Sequence, residues 1–252
     1  MRHGERLDYA FGDWISQCFD KNGNYCPTNL NMPDSVPKRS QGPSAYIKDS
    51  PLTKMGIFQA QLTGEAFVKE HLEVSDVYCS PSLRCIQTCD AFLKGCNKNN
   101  EIKIKVEPGL FEWWAFHTNA LPIWLTPEEM VEYGYNIDLN YKPYGSYKIP
   151  SEEETCDAYY SRSFSLTLDL LRTHPEGNIL FVGHATTLEA CTRQLLGQKP
   201  RNIWNMKNII KSIPYCAIID VNKTKSGEWE MKPSLHQLTH TSNLVFDYDR
   251  LL

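Results

Sequence analysis

The sequence feature that most constrains the fold is a run of four apolar residues, Ile179–Val182, which is followed by Gly183-His184. An unbroken apolar run is typical of a strand that is buried on both faces, as in a parallel sheet covered by helices. A second short strand is predicted at Asp76–Cys79, with a helix beginning near Ser82 directly after it. Strands that alternate with helices indicate an α/β layer architecture, which we expect to form a single domain over residues 1–252.

Further helices and strands are predicted around this core. Apolar residues spaced by four predict an amphipathic helix over about 53–72, and apolar residues that alternate with lysines predict a strand at 102–106. The S-x-x-E capping pattern at Ser151 predicts a helix from there to about Arg172. The remaining predictions are a helix at about 187–196, a hairpin formed by 216–221 and 229–232, and a surface insertion at about 20–51 that is rich in Pro, Asn, Asp and Ser.

The composition limits the classes of partner. A net charge of −4 argues against general binding to nucleic acid or to an anionic membrane. No apolar run approaches the roughly 18 residues that a membrane-spanning helix needs, and no signal peptide is visible. The nine cysteines are scattered without a C-x-x-C pair or the spacing of a zinc site, which favours free thiols in a reducing compartment. We therefore expect a cytoplasmic protein that binds neither nucleic acid nor membrane.

Three basic clusters lie where loops are predicted at strand ends: Arg2-His3-Gly4-Glu5-Arg6, Ser80-Pro81-Ser82-Leu83-Arg84 and Gly183-His184. Ligands of open α/β sheets bind in the crevice at the carboxyl ends of the strands. The three clusters would therefore form one cationic pocket in an acidic protein. Guanidinium groups match phosphate oxygens in a bidentate way, so this pocket predicts binding of a phosphate dianion and stabilisation of the charge that develops during its transfer.

His3 is the candidate nucleophile of this pocket. A neutral imidazole is a competent nucleophile near ordinary pH, and the nitrogen that attacks depends on what holds the other one. Gly4 would leave room for a backbone acceptor to hold that second nitrogen. Because a phosphorus–nitrogen bond hydrolyses readily, this chemistry requires neither a metal nor a cofactor.

The motifs resemble those of the histidine phosphatase superfamily, which is also called phosphoglycerate mutase-like. The resemblance is carried by the R-H-G-E-R start, S-P-S-L-R-C-I-Q-T at 80–88, F-E-W at 111–113 and G-H-A-T-T-L-E at 183–189. Further stretches, such as N-L-N-M-P at 29–33 and C-T-R at 191–193, resemble one branch of the family. That branch contains the phosphatase domains of the suppressor of T-cell receptor signalling (Sts) proteins and the insect ecdysteroid-phosphate phosphatases.

The resemblance implies a fold, an assembly and a set of roles. The implied fold is a three-layer αβα sandwich with a mostly parallel mixed central sheet, and the implied assembly is a homodimer. His3 would be the nucleophile, and Glu112 would protonate the leaving oxygen and later activate water. The phosphoryl group would be held by Arg2, Arg6, Arg84 and His184.

Glu112 suits a general acid because it lies between Phe111 and Trp113, where desolvation is expected to raise the pKa of its carboxyl towards the working range. Glu107, Glu128 and Glu129 remain alternatives for the same role.

Two positions depart from the family pattern. The family places its nucleophile at the end of the first core strand, whereas only Met1 precedes Arg2 here, so the sequence leaves open what supplies that strand. Ala185 stands where relatives often carry Gly or Ser, and we expect little consequence because the residue is still small.

An aromatic segment follows the candidate acid. Trp113, Trp114, Phe116 and Trp124 could be ordinary core residues, but their spacing does not fit one helical stripe. We expect at least two of these four side chains to line the mouth of the pocket, where apolar walls suit a bulky hydrophobic leaving group. His117 and His240 are interpreted as structural or rim residues.

The predicted function is hydrolysis of a bulky hydrophobic phosphate ester, with an ecdysteroid phosphate as the first candidate substrate and protein phosphotyrosine as the alternative. A cysteine-dependent phosphatase is excluded because Cys79 and Arg84 are separated by four residues rather than the five of H-C-x5-R, and no histidine precedes Cys79. A mutase would favour polar contacts to a small acid over an aromatic mouth. An interaction module with an inactive site is the lesser alternative.

Overall fold

The computed structural model describes residues 1–117, 122–144 and 154–232. Its central sheet contains three parallel strands, β1 (Asp76–Cys79), β2 (Ile104–Val106) and β3 (Ile179–Val182), in the order β2-β1-β3. Two further strands, β4 (Asp220–Lys223) and β5 (Trp229–Lys232), pair in antiparallel fashion as a separate hairpin. The helices are α1 (Leu7–Phe11), α2 (Trp14–Cys18), α3 (Lys54–Lys69), α4 (Leu83–Gly95), α5 (Pro127–Glu132), α6 (Cys156–Arg172), α7 (Ala185–Thr192) and α8 (Ile203–Ser212).

The side chains of β1 alternate between the two faces of the sheet and so define the layers. Val77 and Cys79 are buried in the main apolar core together with residues of α3 and α4. Tyr78 points to the opposite face, where it packs with Leu166 and Leu170 of α6 and with a cysteine of α7. Helices therefore cover both faces of the sheet, which confirms the three-layer αβα architecture with a mostly parallel sheet.

The first three residues occupy the place of a strand beside β3. The Gly183 amide donates to the Met1 carbonyl and the His3 amide donates to the Gly183 carbonyl, both at 2.9 Å. On the other side, the Arg2 amide donates to the carbonyl of Ala217, also at 2.9 Å. Met1 is itself buried in the core. The short segment Met1–His3 thus extends the sheet past β3 and delivers His3 to the level at which β3 ends.

Three predicted boundaries are wrong by four residues or more. The helix predicted over about 187–196 begins at Ala185 and ends at Thr192. The helix predicted from Ser151 begins instead at Cys156, because Thr155 is its N-cap and accepts a hydrogen bond from the Ala158 amide. The capping pattern that begins at Ser151 lies mostly outside the described residues. The hairpin exists, but its first strand begins at Asp220 rather than Cys216, whose positive φ of 57° breaks the extended conformation.

No helix among the described residues is long and apolar enough to cross a membrane. All nine cysteines lie in this part of the chain and all are free thiols.

Candidate active site

The three basic clusters meet where the segment Met1–His3, β1 and β3 end. The rings of His3 and His184 lie 5.5 Å apart between centroids in an edge-on arrangement. Arg84, in the first turn of α4, is fully buried, and its Nη2 lies 3.1 Å from His184 Nδ1. Arg84, Arg2, His184 and Arg6 all act electrostatically on His3. The structure thus brings the predicted cationic residues together at the carboxyl ends of the strands.

The surroundings of His3 determine which nitrogen is available for attack. Its Nδ1 lies 2.9 Å from the carbonyl oxygen of Gly4. Because a carbonyl only accepts, Nδ1 carries the proton and Nε2 keeps its lone pair. Burial, followed by the charges of Arg84 and Arg2, holds the pKa of His3 well below its usual value. His3 is therefore neutral near pH 7, with Nε2 as its basic nitrogen.

Gly4 positions His3 by close backbone packing. A Cβ atom at Gly4 would lie 2.5 Å from the carbonyl oxygen of Gly56 in α3, and a Cβ at Gly56 would in turn meet the backbone of Glu5. The Gly4 amide also donates to the hydroxyl of Thr88 in α4 at 2.9 Å. The glycine of the R-H-G motif is thus required because the backbone here is clamped between α3 and α4.

Arg84 is the side chain best prepared to bind an anion. Its Nη2 donates to Oε1 of Glu112 at 2.5 Å. Its Nε and Nη1 are buried and have no hydrogen-bond partner among the described residues. Since buried donors are normally paired, these two N–H groups require an acceptor that the described residues do not supply. A phosphoryl oxygen fits this requirement.

Arg2 and Arg6 are each held by neighbouring groups. Arg2 donates from Nη1 to the carbonyl of Ile213 and lies 4.4 Å above the ring of Tyr215, while its buried Nε has no partner in the described part of the chain. Arg6 makes two hydrogen bonds to Asp8, of 3.0 and 2.6 Å, and lies over the ring of Tyr9. These contacts fix the guanidinium planes before any ligand binds.

His184 is oriented by Ser80, the residue that follows β1. His184 Nε2 lies 2.9 Å from the Ser80 hydroxyl, and Nδ1 faces Arg84. A guanidinium only donates, so Nδ1 accepts and Nε2 donates to Ser80 in this state. Burial is the main cause that holds the pKa of His184 well below its usual value, and Arg84 adds to it against the attraction of Glu112.

Glu112 is the carboxylate that enters the cluster. Its Oε1 contacts Arg84 Nη2 at 2.5 Å, His117 Nε2 at 3.0 Å and His184 Nδ1 at 3.6 Å. Burial alone raises the pKa of Glu112, but the combined effect of His184, Arg84 and His117 is larger and holds this pKa well below its usual range. The prediction that its pKa is raised is therefore wrong for the ligand-free protein, because the sequence does not show how closely Arg84 and the two histidines approach the carboxylate.

The alternative carboxylates lie elsewhere. Glu107 is fully buried and accepts hydrogen bonds from Tyr141 and from backbone amides, including that of Gly109. Glu129 caps α5 together with Thr126, and Glu128 is exposed in the first turn of the same helix. Among the described residues, no group of three or more His, Cys, Asp or Glu side chains is arranged to hold a metal ion.

The four aromatic residues have different environments. Trp113 is buried in a satellite core with Tyr159 and Met206, so this tryptophan packs inside the protein. Trp114 is also buried, against His117. Trp124 is half-buried against Phe111, whose ring contacts His184, and Phe116 is 40% exposed. Of these four residues, Trp124 is linked to His184 through Phe111, whereas Phe116 packs against Trp113 and is open to solvent.

Several residues of the site have no role in the sequence-based predictions. Ser80 lies within the motif S-P-S-L-R. Its position directly after a predicted strand is the sequence signal that could have identified it as a site residue. Tyr215 and Ile213 contact Arg2 across more than 200 residues of sequence, which no local pattern reveals. His117, which the sequence predicts to be a structural or rim residue, contacts Glu112. His240 lies outside the described residues.

The sequence and the fold both match those of known proteins. A sequence model of the histidine phosphatase superfamily (branch 1) matches residues 38–232. The chain belongs to this superfamily. The matched range includes Arg84, Glu112 and His184, whereas the segment that carries His3 precedes it.

Full-length relatives cover the N-terminal motif as well. The chain is 42% identical over 254 residues to the ecdysteroid-phosphate phosphatase of Drosophila melanogaster, with 100% of this chain and 34% of that protein covered. It is 43% identical over 259 residues to the human ubiquitin-associated and SH3 domain-containing protein B, with 100% and 40% covered. The chain thus spans between a third and two fifths of the length of these relatives.

A solved structure shares the whole fold. The ecdysone phosphate phosphatase of Bombyx mori, crystallised in complex with tungstate, matches with a TM-score of 0.85 and 35% identity, covering 100% of this chain and 97% of that one. A phosphoglycerate mutase from Bacillus anthracis matches with a TM-score of 0.53 at 14% identity, over 92% of this chain and 89% of that one, which shows the shared fold alone.

Proposed function

We propose that this chain is a phosphomonoester hydrolase that works through a phosphohistidine formed at Nε2 of His3. The observation that carries the proposal is the fully buried Arg84, whose Nε and Nη1 lack acceptors among the described residues and whose Nη2 joins Glu112 to His184. An oxyanion at this position would complete these hydrogen bonds beside a neutral imidazole nucleophile.

The first half-reaction transfers the phosphoryl group to His3. The Nε2 lone pair attacks phosphorus, the bond from phosphorus to the ester oxygen breaks, and that oxygen takes a proton from Glu112. Arg2, Arg6, Arg84 and His184 hold the phosphoryl oxygens. In the proposed reaction, neither a metal ion nor a cofactor takes part in phosphoryl transfer.

The second half-reaction hydrolyses the phosphohistidine. The Glu112 carboxylate accepts a proton from water, the water oxygen attacks phosphorus, and the phosphorus–nitrogen bond breaks to release phosphate and neutral His3. For the first half-reaction Glu112 must be protonated, although its pKa is low in the ligand-free protein. A bound phosphate dianion supports this state, because its negative charge opposes the field of the surrounding cations and raises the pKa of the carboxyl.

We propose a bulky hydrophobic phosphate ester, and first an ecdysteroid phosphate, as the substrate. Support comes from the exposed rings of Tyr9 and Phe116 and the half-buried Trp124 near the site, and from the names of the Drosophila and Bombyx relatives. The similarity to the ubiquitin-associated and SH3 domain-containing proteins favours phosphotyrosine as the second candidate. Comparing kcat/KM for an ecdysteroid phosphate and a phosphotyrosine peptide distinguishes the two.

We also propose that the chain forms a single domain with an insertion at about 20–51, is cytoplasmic and assembles as a homodimer. We propose no nucleic-acid or membrane partner.

Hydrolysis of p-nitrophenyl phosphate by wild type and His3→Ala tests the mechanism. We expect activity that survives EDTA and falls by at least about a thousandfold in His3→Ala, because no other group replaces the nucleophile. Acid-labile, base-stable ³²P labelling should disappear in the same variant.

His174→Ala is the control, since His174 lies by Asp76 at the opposite end of β1. Loss of turnover with EDTA, or an active His3→Ala variant, would contradict the mechanism, and absence of activity in the wild type would favour an inactive interaction module.

A further inference from the structure

His117 contacts the proposed general acid from outside the arginine cluster. It follows the 3₁₀ turn Trp114–Phe116, and its amide donates to the Trp114 carbonyl at 2.7 Å. Its ring is buried and lies against Phe111, at 4.8 Å between centroids, and against Trp114, at 6.3 Å. Its Nε2 lies 3.0 Å from Oε1 of Glu112. The imidazole is thus held by packing on two aromatic rings and directed at one carboxylate oxygen.

Three nitrogen-bearing neighbours of Glu112 among the described residues contact the same oxygen. Arg84, His117 and His184 lie 2.5, 3.0 and 3.6 Å from Oε1, and none of these contacts involves Oε2. A carboxylic acid that is held through one oxygen presents its other oxygen in a defined direction. Oε2 is therefore the atom available to carry the transferable proton.

The three neighbours differ in what they do when substrate is present. Arg84 and His184 belong to the proposed phosphate cradle, so a bound phosphoryl group competes with Glu112 for the hydrogen bond of Arg84 and for the contact with His184. Among the described residues, His117 makes no side-chain hydrogen bond other than the one to Glu112. Its hydrogen bond is thus the contact to Oε1 that substrate binding leaves in place.

We propose that His117 is a positioning residue for Glu112, whose Nε2–H group holds Oε1 throughout turnover so that Oε2 faces first the leaving oxygen and then the attacking water. This proposal rests on the role of Glu112 given above. Glu112 is also faced by Arg84 on α4 and His184 before α7, and it feels the charges of Arg2 and Arg6 on the N-terminal segment. Removing His117 thus changes the orientation of the carboxyl while the phosphate-binding charges remain.

The test compares aryl phosphates that differ in how much they need an acid. Phenyl phosphate releases a strongly basic phenolate and depends on protonation, whereas 2,4-dinitrophenyl phosphate releases a weakly basic one and does not. His117→Phe keeps an aromatic ring between Phe111 and Trp114 but removes the donor, and His117→Gln restores a donor. His117→Leu is a second donor-free variant in case the phenylalanine variant does not fold.

We expect kcat/KM of His117→Phe or His117→Leu for phenyl phosphate to fall about tenfold to a hundredfold, a part of what a general acid contributes. The value for 2,4-dinitrophenyl phosphate should stay within about threefold of wild type, and His117→Gln should recover part of the loss. The control is His174→Phe, which removes a histidine that pairs with the carboxylate of Asp76 away from the site. This control should leave the ratio of the two substrates unchanged.

A double variant shows whether His117 acts through Glu112. Glu112→Gln should itself lose kcat/KM selectively for phenyl phosphate, because kcat/KM reports phosphoryl transfer to His3 and not the later hydrolysis step. Adding His117→Phe should lower this kcat/KM by less than about a further twofold, because residues that act as a unit are not additive. Equal losses on both substrates, or multiplicative losses in the double variant, would overturn the positioning role alone. If Glu112→Gln lowered kcat/KM equally for both substrates, the acid role of Glu112, on which the His117 proposal rests, would be overturned. The ³²P labelling of His3 tests the nucleophile separately.

Discussion

At the scale of single residues, Arg84 holds the site together because one planar group makes several directed contacts. Its Nη2 joins Glu112 to His184, and its buried Nε and Nη1 have no acceptor in the described part of the chain. A lysine keeps the positive charge but lacks the planar guanidinium group and its several directed N–H donors. We therefore expect Arg84→Lys to lower kcat/KM for p-nitrophenyl phosphate by about a hundredfold to a thousandfold. Arg172→Lys, at an exposed arginine paired with Asp169, is the matched control and should retain wild-type activity.

The buried histidines predict how stability depends on pH. The pKa values of His3 and His184 lie well below the ordinary value of about 6.5, chiefly because of burial, so below that pH the unfolded chain binds more protons than the folded one. The free energy of unfolding should fall as the pH is lowered from 7 to 5.5, by up to about 1.4 kcal/mol per pH unit for each histidine.

Urea denaturation at several pH values measures this slope. His3→Gln should reduce it, because one of the two histidines is removed. The pH range stays above the region where the depressed pKa of Glu112 contributes, since that carboxylate loses its stabilising contribution only at more acidic pH. A stability that rises as the pH falls through 6.5 would contradict the assignment of neutral histidines.

At the scale of elements, the close approach of Gly4 to Gly56 links the nucleophile to α3. A Cβ at Gly4 would lie 2.5 Å from the Gly56 carbonyl, so Gly4→Ala must displace the segment that carries His3. We expect a loss of about 1–3 kcal/mol in stability together with a fall in kcat. Gly64→Ala also creates an overlap, with the backbone of α4 at Phe92, but away from His3. Chemical denaturation and kinetics on both variants should show lost stability in each and lost kcat only in Gly4→Ala.

Local patterns predicted some elements better than others, for physical reasons. The strands at Asp76–Cys79 and Ile179–Val182 were identifiable because burial on both faces leaves an unbroken apolar run. The helix start at Ser151 was wrong because Thr155 offers an equally good N-cap nearer the packed part of α6. The strand role of Met1–His3 was not predictable, because its hydrogen bonds go to Gly183 and Ala217, far away in sequence.

The residues of the candidate site show the same difference between what local patterns predict and what depends on distant contacts. Residues within motifs, including His3, Arg84 and His184, were identified and do meet in space. The low pKa of Glu112 and the contact of His117 depend on how many groups converge on one oxygen, which no spacing encodes. The placement of Trp113 in a core with Tyr159 and Met206, rather than at the pocket mouth, depends on packing between distant helices.

At the scale of the whole molecule, an acidic protein of net charge −4 concentrates three arginines and two histidines in one buried cluster. Crowding like charges and leaving buried donors unpaired lowers the stability of the ligand-free fold, and a bound oxyanion relieves both costs. Tungstate, the ligand of the crystallised Bombyx relative, is a suitable probe. A ligand that binds only the folded state at a hundred times its Kd raises the free energy of unfolding by about 2.7 kcal/mol.

We therefore expect tungstate to raise the melting temperature in proportion to the logarithm of its concentration, because the oxyanion completes the hydrogen bonds of Arg84 and Arg2. Sodium chloride at equal ionic strength controls for general screening and should give a much smaller shift, since chloride cannot bridge several guanidinium groups. Arg84→Lys should lose most of the tungstate shift, whereas Arg172→Lys should keep it. A shift that is equal in all three proteins would mean that the anion binds elsewhere, and that the cluster around His3 is not the oxyanion site.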